Sequence, residues 1–418
     1  MLFRTWDQPF DIDGRAEATV AVTDHVGVRH VVVSDHRLVR QVLADPDTFS
    51  PGNALDAISP MPVSALRVLT SYGFKLPATL ANNGGVSHPA IREITARALH
   101  PARVEALRPW LTGIVRRRVA RLATRLREGE TVDLYADLAA DLPLLVLAKL
   151  VALPEAEAAV VKEFSRAALE LFWAPLDAPR QLALAETVGR FHTVLRDFAA
   201  TAGGMVGELR AHAAAEGLPK DTAVGALFFL LVAGQETTSQ FLTLLLHRLS
   251  GERAVLDGLV RGTVGVDDVV EEGLRLVPPI PTWRRVATRD TSLDGFPVRA
   301  GASIVLWLAR AGLAVADNPH DFVPGQRGSR RHLAFGAGAH RCVGAQLSRM
   351  EAAVTVAETT PLLRDVDIVR APWCPDNLSF RMPDTFTIRH PCPHLPQLLK
   401  TCGQGLTGRP RLFNSCAT

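Results

Sequence analysis

The chain has 418 residues, 47% of them hydrophobic and 21% charged, with 46 basic against 43 acidic side chains. That composition excludes disorder, collagen and coiled coil as whole-chain descriptions, and the charge is too balanced to imply nucleic-acid binding in bulk. A single fold of this mass buries roughly three quarters of its unfolded surface, enough to enclose a cofactor.

The N-terminal stretch MLFRTWDQPFDIDGR has no apolar core, so it reads as neither signal peptide nor anchor. Residues 27–33 (GVRHVVV) predict the first strand, and Asp35 opens a helix to about Leu43. The Pro-, Gly- and Asn-rich stretch 51–87 predicts a long irregular loop. Helical periodicity predicts helices near 88–99, 101–127, 134–151, 155–173, 179–216, 221–250 and 267–276. The longest apolar run, AVGALFFLLVAG at 223–234, is too short to span a bilayer. After Pro278 come short strands and turns, then loop-rich 311–341, a helix over about 343–359 and a tail from 391 rich in Pro, Gly and Cys. The expected architecture is one large, mainly α domain with a smaller β-rich region, residues 1–390. A weakly ordered tail, 391–418, is expected to follow. Neither membrane nor nucleic-acid binding is expected, and the chain is read as a cytoplasmic monomer.

Cysteine usage fits no disulfide framework: Cys374, Cys392, Cys402 and Cys416 fall late in the chain and Cys342 stands alone. Cys342 sits in FGAGAHRCVG (335–344), between close glycines and just before a predicted helix. The helix N-terminus favours a thiolate and supplies N–H donors to its sulfur. A single sulfur with no CxxC partner argues against structural zinc and suits a haem iron. The plainer alternative is a small buried hydrophobe. A second stretch, AGQETT at 233–238, puts Glu236 and Thr237 into an otherwise apolar helix. A buried carboxylate is costly and needs a reason; a solvated helix face is the alternative.

The pattern Phe335-x-x-Gly338-x-His340-x-Cys342-x-Gly344 resembles the haem-binding signature of the cytochromes P-450, and AGQETT resembles that family's distal-helix motif. Glu272-x-x-Arg275, followed by Pro278–Pro279 and WRRVATRD, resembles the family's Glu-x-x-Arg helix and Arg-x-Ala strand. The likeness runs from about residue 28 to 390. It implies the cytochrome P-450 fold around haem b (iron protoporphyrin IX), with Cys342 as metal ligand and Phe335, Gly336 and Gly344 in the cofactor loop. His340, Arg285 and the pair His88 and Arg92 would meet the propionates. Ala233 and Gly234 would leave room for O2, Thr237 would hydrogen-bond dioxygen, and Glu236 would gate proton delivery. Glu272 and Arg275 would be a structural ion pair.

The resemblance further implies O2-dependent hydroxylation, epoxidation or oxidative coupling of a bulky, largely apolar small molecule, a secondary-metabolite intermediate. Lacking a G-x-G-x-x-G fingerprint or a flavin domain, the chain would take electrons from NAD(P)H through a ferredoxin and a ferredoxin reductase. The basic face that would meet the ferredoxin includes Arg92, Arg97, Arg103, Arg116, Arg117, Arg330, Arg331 and Arg341. The pocket is expected to use the 51–85 loop, Phe172, Trp173, Phe229, Ile280, Trp283 and Arg284, with Arg284 either holding a substrate carboxylate or facing solvent. Three departures stand out. No first amphipathic helix is recognisable, ARAGLAVADNPHDF (309–322) stands where the family usually carries an Asn-Arg-Asp run, and Asp321 occupies the place of a basic residue that completes a triad with Glu272 and Arg275. Arg327, Arg330 or another residue must substitute. His390, Cys392, His394 and Cys402 are spaced too irregularly to read as a zinc site. Two alternatives remain. One is a peroxide-driven or dehydrating enzyme, against which Glu236 and Thr237 argue. The other is a non-catalytic helper protein, against which retention of Cys342 argues as well.

Overall fold

The computed structural model describes residues 19–391 except residue 26 and residues 154–157. The questions of an N-terminal helix and of the Cys392, His394 and Cys402 tail lie outside the described residues. In chain order the helices are α1 (His36–Ala44), α2 (Val63–Ser71), α3 (His88–Ala98), α4 (Pro101–Ala106), α5 (Arg108–Arg127), α6 (Leu142–Val151), α7 (Ala158–Trp173), α8 (Ala178–Thr201), α9 (Gly204–Ala215), α10 (Thr222–Ser250), α11 (Arg253–Arg261), α12 (Val266–Leu276), α13 (Leu308–Leu313) and α14 (Ala345–Leu363). The strands are β1 (Val20–His25), β2 (Val28–Val33), β3 (Phe49–Ser50), β4 (Val132–Asp133), β5 (Trp283–Ala287), β6 (Thr291–Leu293), β7 (Phe296–Val298), β8 (Ser303–Leu306), β9 (Asp367–Arg370) and β10 (Thr387–Arg389).

The mainly α architecture with small sheets is as expected, with local corrections. The first strand starts earlier, at Val20, and pairs antiparallel with β2. The predicted 51–87 loop contains α2, which buries Ala65 and Leu69 and packs against α8. Periodicity runs across breaks that local chemistry imposes. The predicted helix 101–127 divides at Leu107 before Pro109, and 179–216 divides at Gly203, where Gly204 takes φ 55°. The predicted 134–151 helix begins as a π-helical turn, Tyr135–Ala139, before α6. α11 and most of α13 lie in stretches read without helix.

α10 is the axis of the molecule. It is buried on nearly every face, so its sequence is apolar all round, and it packs on α6, α7, α8, α9, α12 and α14. α12 approaches it closely. A Cβ at Gly273 would collide with the Leu245 side chain, so this glycine sets how near Glu272 and Arg275 come to the core. Beside the helices lies a five-stranded sheet in the order β1-β2-β8-β5-β3, in which β2 and β8 run parallel. β5 carries Trp283, Arg284 and Arg285 along the helix–sheet boundary.

Candidate active site

Residues 335–344 leave the loop through a short 3-10 turn, Gly338–His340, and enter α14 directly. Gly338 has φ 69°, and a Cβ there would collide with the Leu43 carbonyl oxygen at the end of α1. The loop is therefore pinned against α1 by a contact only glycine allows. The Cys342 N–H donates to the Phe335 carbonyl at 2.9 Å, closing the turn that aims the thiol. That thiol is accessible from a cavity and is otherwise surrounded by protein. Burial pushes the thiol up, while the Gly344 N–H and the charges of Arg92, Arg349 and Arg341 pull it down.

The cavity holds about 1340 Å³ including its mouth. Cys342, Phe335, Gly336, His340 and Gly344 line one part; Leu80, Leu147, Phe229, Ile280 and Trp283 line apolar walls; Ala233, Gly234, Thr237 and Thr238 enter from α10. Thr237 Oγ1 donates to the Ala233 carbonyl at 2.6 Å, so its oxygen lone pairs remain available as acceptors. Thr238 Oγ1 donates to Ser348 Oγ at 3.3 Å, tying α10 to α14 beside the cysteine loop.

Glu236 lies elsewhere. It is fully buried, outside the cavity lining, and pairs with Lys162 Nζ of α7 at 2.6 Å. Gln235 donates to the same carboxylate at 3.0 Å and Gln240 at 3.4 Å. Burial lowers the Lys162 ammonium, and the Glu236 charge opposes that shift. Sequence reading missed Lys162 because the pair joins two separate helices.

Four basic residues gather at one edge. The His88 and His340 rings stack at 4.2 Å, and the charges of Arg285 and Arg92 both act on His340. His88 Nε2, His340 Nδ1 and Arg285 Nε are buried with no hydrogen-bond partner. Desolvation drives all four towards neutrality, His88 to about 4 and Arg285 to about 10. Basic groups left unsatisfied in one place call for an anion. Arg92, Arg285 and His340 line the cavity that holds the thiol, with His88 stacked on His340 outside the lining, and this donor set fits a flat macrocycle that carries two carboxylates and a sulfur-ligated iron.

Beneath the loop, Glu272 and Arg275 are both fully buried and joined by two bonds at 2.7 and 2.9 Å. The Arg275 guanidinium also donates to the carbonyls of Pro319, Asn318 and Asp321 at 2.6, 3.3 and 3.0 Å. Asp321 thus contributes its backbone. Neither Arg327 nor Arg330 is the substitute that the sequence suggested: Arg330 pairs with Asp268, and Gln326 Nε2 donates to Glu272 at 2.6 Å. A neutral amide completes the triad because Glu272 already has one full cation and needs only a further donor, which the Val323 N–H also supplies at 3.0 Å.

Among the expected pocket residues, Phe229, Ile280 and Trp283 line the cavity. Phe172 and Trp173 are buried outside the lining, where Trp173 stacks behind Trp283 at 6.3 Å. Arg284 is not solvent-facing. It is buried, outside the lining, and donates to the Ala54 and Asp56 carbonyls at 3.2 and 2.6 Å. On the basic face, Arg97, Arg116 and Arg330 are already in ion pairs. Among the described residues, no cluster of three or more His, Cys, Asp or Glu could hold a metal ion, and no helix is long and apolar enough to cross a membrane.

The Cytochrome P450 family model matches residues 266–359, from α12 through most of α14. The 20-oxo-5-O-mycaminosyltylactone 23-monooxygenase of Streptomyces fradiae is 30% identical over 84% of this chain and 81% of its own length. The erythromycin C-12 hydroxylase of Saccharopolyspora erythraea is 29% identical over 80% of this chain and 82% of its own. The solved cytochrome P450 CREJ, in complex with (4-ethylphenyl) dihydrogen phosphate, superposes with a TM-score of 0.84 at 25% identity, covering 92% of this chain and 99% of that one. The chain belongs to the cytochrome P450 family. Its fold is the P450 fold, and membership implies a haem iron, O2 chemistry and a small-molecule substrate.

Proposed function

We propose that this chain is a monooxygenase that inserts oxygen into a bulky, largely apolar natural-product intermediate. The observation that carries the reading is the Cys342 thiol opening into an apolar cavity that α10 enters with Ala233, Gly234 and Thr237. Haem, when bound, supplies activation of O2 for attack on an unactivated C–H bond. The residues of this chain hold and serve it. Cys342 would offer its sulfur to the iron, and Phe335, Gly336 and Gly344 shape its loop. His88, Arg92, Arg285 and His340 would meet the propionates, which would give partners to the unpaired His88, His340 and Arg285 nitrogens. Ala233 and Gly234 keep side-chain bulk off the reacting face.

Thr237 commits its own proton to the Ala233 carbonyl, so its oxygen is an acceptor that can steady a proton donor in the cavity. Glu236 is held back by Lys162, so bringing a proton from it to the cavity requires that pair to open. Leu80, Leu147, Phe229, Ile280 and Trp283 exclude water and select substrate by shape. Electrons from NAD(P)H arrive through a ferredoxin and its reductase, steered by the arginine-rich face.

The test is a panel titration of the haem-loaded protein, followed by its spin-state absorption change. Bulky apolar macrolides and polycyclic compounds are expected to shift the Soret band, whereas small charged acids leave it unchanged. A response confined to the charged compounds overturns the substrate class.

A further inference from the structure

Glu271 plays no part in the chemistry above, although it is buried immediately before Glu272 on α12. It serves a different set of partners. Arg349 of α14 donates to it through Nε at 2.5 Å and Nη2 at 3.3 Å, and His332 Nε2 lies 3.1 Å away. Burial raises this carboxyl, but the His332 and Arg349 bonds outweigh it and hold it at about 2. The Arg349 guanidinium lies 4.5 Å from the centre of the Phe335 ring. His332 Nδ1 accepts the Ala334 N–H at 3.2 Å, one residue before Phe335. The Phe335 carbonyl in turn accepts the Cys342 N–H. One carboxylate therefore fixes the backbone before Phe335 through His332 and the cation on its ring through Arg349. The two neighbouring glutamates divide the work: Glu272, with Arg275, ties α12 to the 318–326 segment and Glu271 ties it to the cysteine loop.

We propose that Glu271 and Arg349 are positioning residues that hold Phe335 against Cys342, and that their opposed charges set the reduction potential of the haem that Cys342 ligates. The proposal rests on Cys342 as the axial ligand. A cation near the haem favours the reduced form, which carries one more electron, and an anion favours the oxidised form. Glu271 is buried and Arg349 is about a quarter exposed, and both touch residues of the loop, so salt screens them only in part. Removing the two charges separately must then move the potential in opposite directions, a pattern that general loosening of the loop does not produce.

The experiment is a redox titration of the haem-loaded protein and its Arg349→Gln, Arg349→Lys and Glu271→Gln variants, with the reduced, CO-treated spectrum taken for each. Arg349→Gln is expected to lower the ferrous-to-ferric ratio at a fixed applied potential about tenfold, or about 59 mV for one electron. Glu271→Gln is expected to raise it. Arg349→Lys keeps the charge but not the planar fork and is expected to stay within about threefold of the parent. Shifts of the same sign in Arg349→Gln and Glu271→Gln overturn the proposal, as do unshifted potentials with the thiolate band intact. Should Arg349→Gln fail to fold, a tenfold fall in Arg349→Lys overturns it. A parent protein without the thiolate band overturns the Cys342 assignment itself, and the two failures are thereby told apart.

Discussion

The two sides of the cavity are built on opposite principles. Below the cysteine loop, position is fixed by buried charge: Glu272 with Arg275 and Gln326, and Glu271 with Arg349 and His332. On the α10 side, position is fixed by apolar shape, and the one acidic side chain there, Glu236, is locked into a pair with Lys162 away from the cavity. A buried ion pair tolerates little change because removing one partner strands the other, whereas an apolar wall accepts changes of volume at lower cost. The comparison teaches where this chain can change without losing its cysteine loop. Variation is cheap on one side and costly on the other.

The largest expected effect breaks the charged side. Arg275→Leu strands Glu272 in a fully buried place and is expected to cost about 3–5 kcal/mol of stability, read by urea unfolding. A loss below about 1 kcal/mol means that the pair does not fix the loop. The next prediction separates the charged side from the sheet. His30 of β2 is lowered to about 4 by burial, and then by the Arg284 charge, while Glu271 stays ionised down to about 2. Between pH 6.5 and 4 the unfolded chain therefore binds a proton at His30 that the folded chain refuses. Stability is full above pH 6.5 and falls as pH drops through that window, by about 3 kcal/mol. His30→Asn is expected to remove the His30 share of this slope and to leave the share of the other depressed histidines, His88 foremost. A slope unchanged in the variant places the acid sensitivity elsewhere.

Gln326→Ala removes one donor to a buried carboxylate and is expected to cost roughly 1.5–3 kcal/mol. Gln326→Arg tests whether the neutral amide is preferred, since a second cation beside Arg275 is expected to weaken the triad. The smallest stability effect belongs to the apolar side. Thr237→Ala is expected to change stability by less than about 1 kcal/mol and to leave haem content intact. Its effect falls on chemistry: product per electron consumed is expected to drop about 10²-fold, with hydrogen peroxide taking its place. Unchanged coupling contradicts the role given to Thr237.

Much of this was legible in the sequence where the signal is contiguous. Phe335 to Gly344 and Glu272 with Arg275 are short local patterns, legible without knowing which distant residues hold them in place. What escaped was whatever arrives from another element. Lys162, Gln326 and Arg349 reach their partners across helix or loop contacts, and no spacing rule connects them. Trp173 and Trp283 are both aromatic and lie near the same region, yet one lines the cavity and the other backs it. Apolarity alone does not distinguish a wall from the core behind it. In the fold, Gly203 and Pro109 were visible as breakers, but unbroken apolar periodicity across them masked the divisions into α4 with α5 and α8 with α9.

The central claim is that Cys342 presents a thiolate to haem. It is tested most directly by the absorption spectrum of the haem-loaded protein after dithionite reduction and CO addition, beside that of Cys342→Ala. The account predicts a strongly red-shifted Soret band in the parent and its loss in the variant. A parent Soret band at the position of neutral axial ligation, or one that survives in Cys342→Ala, contradicts it.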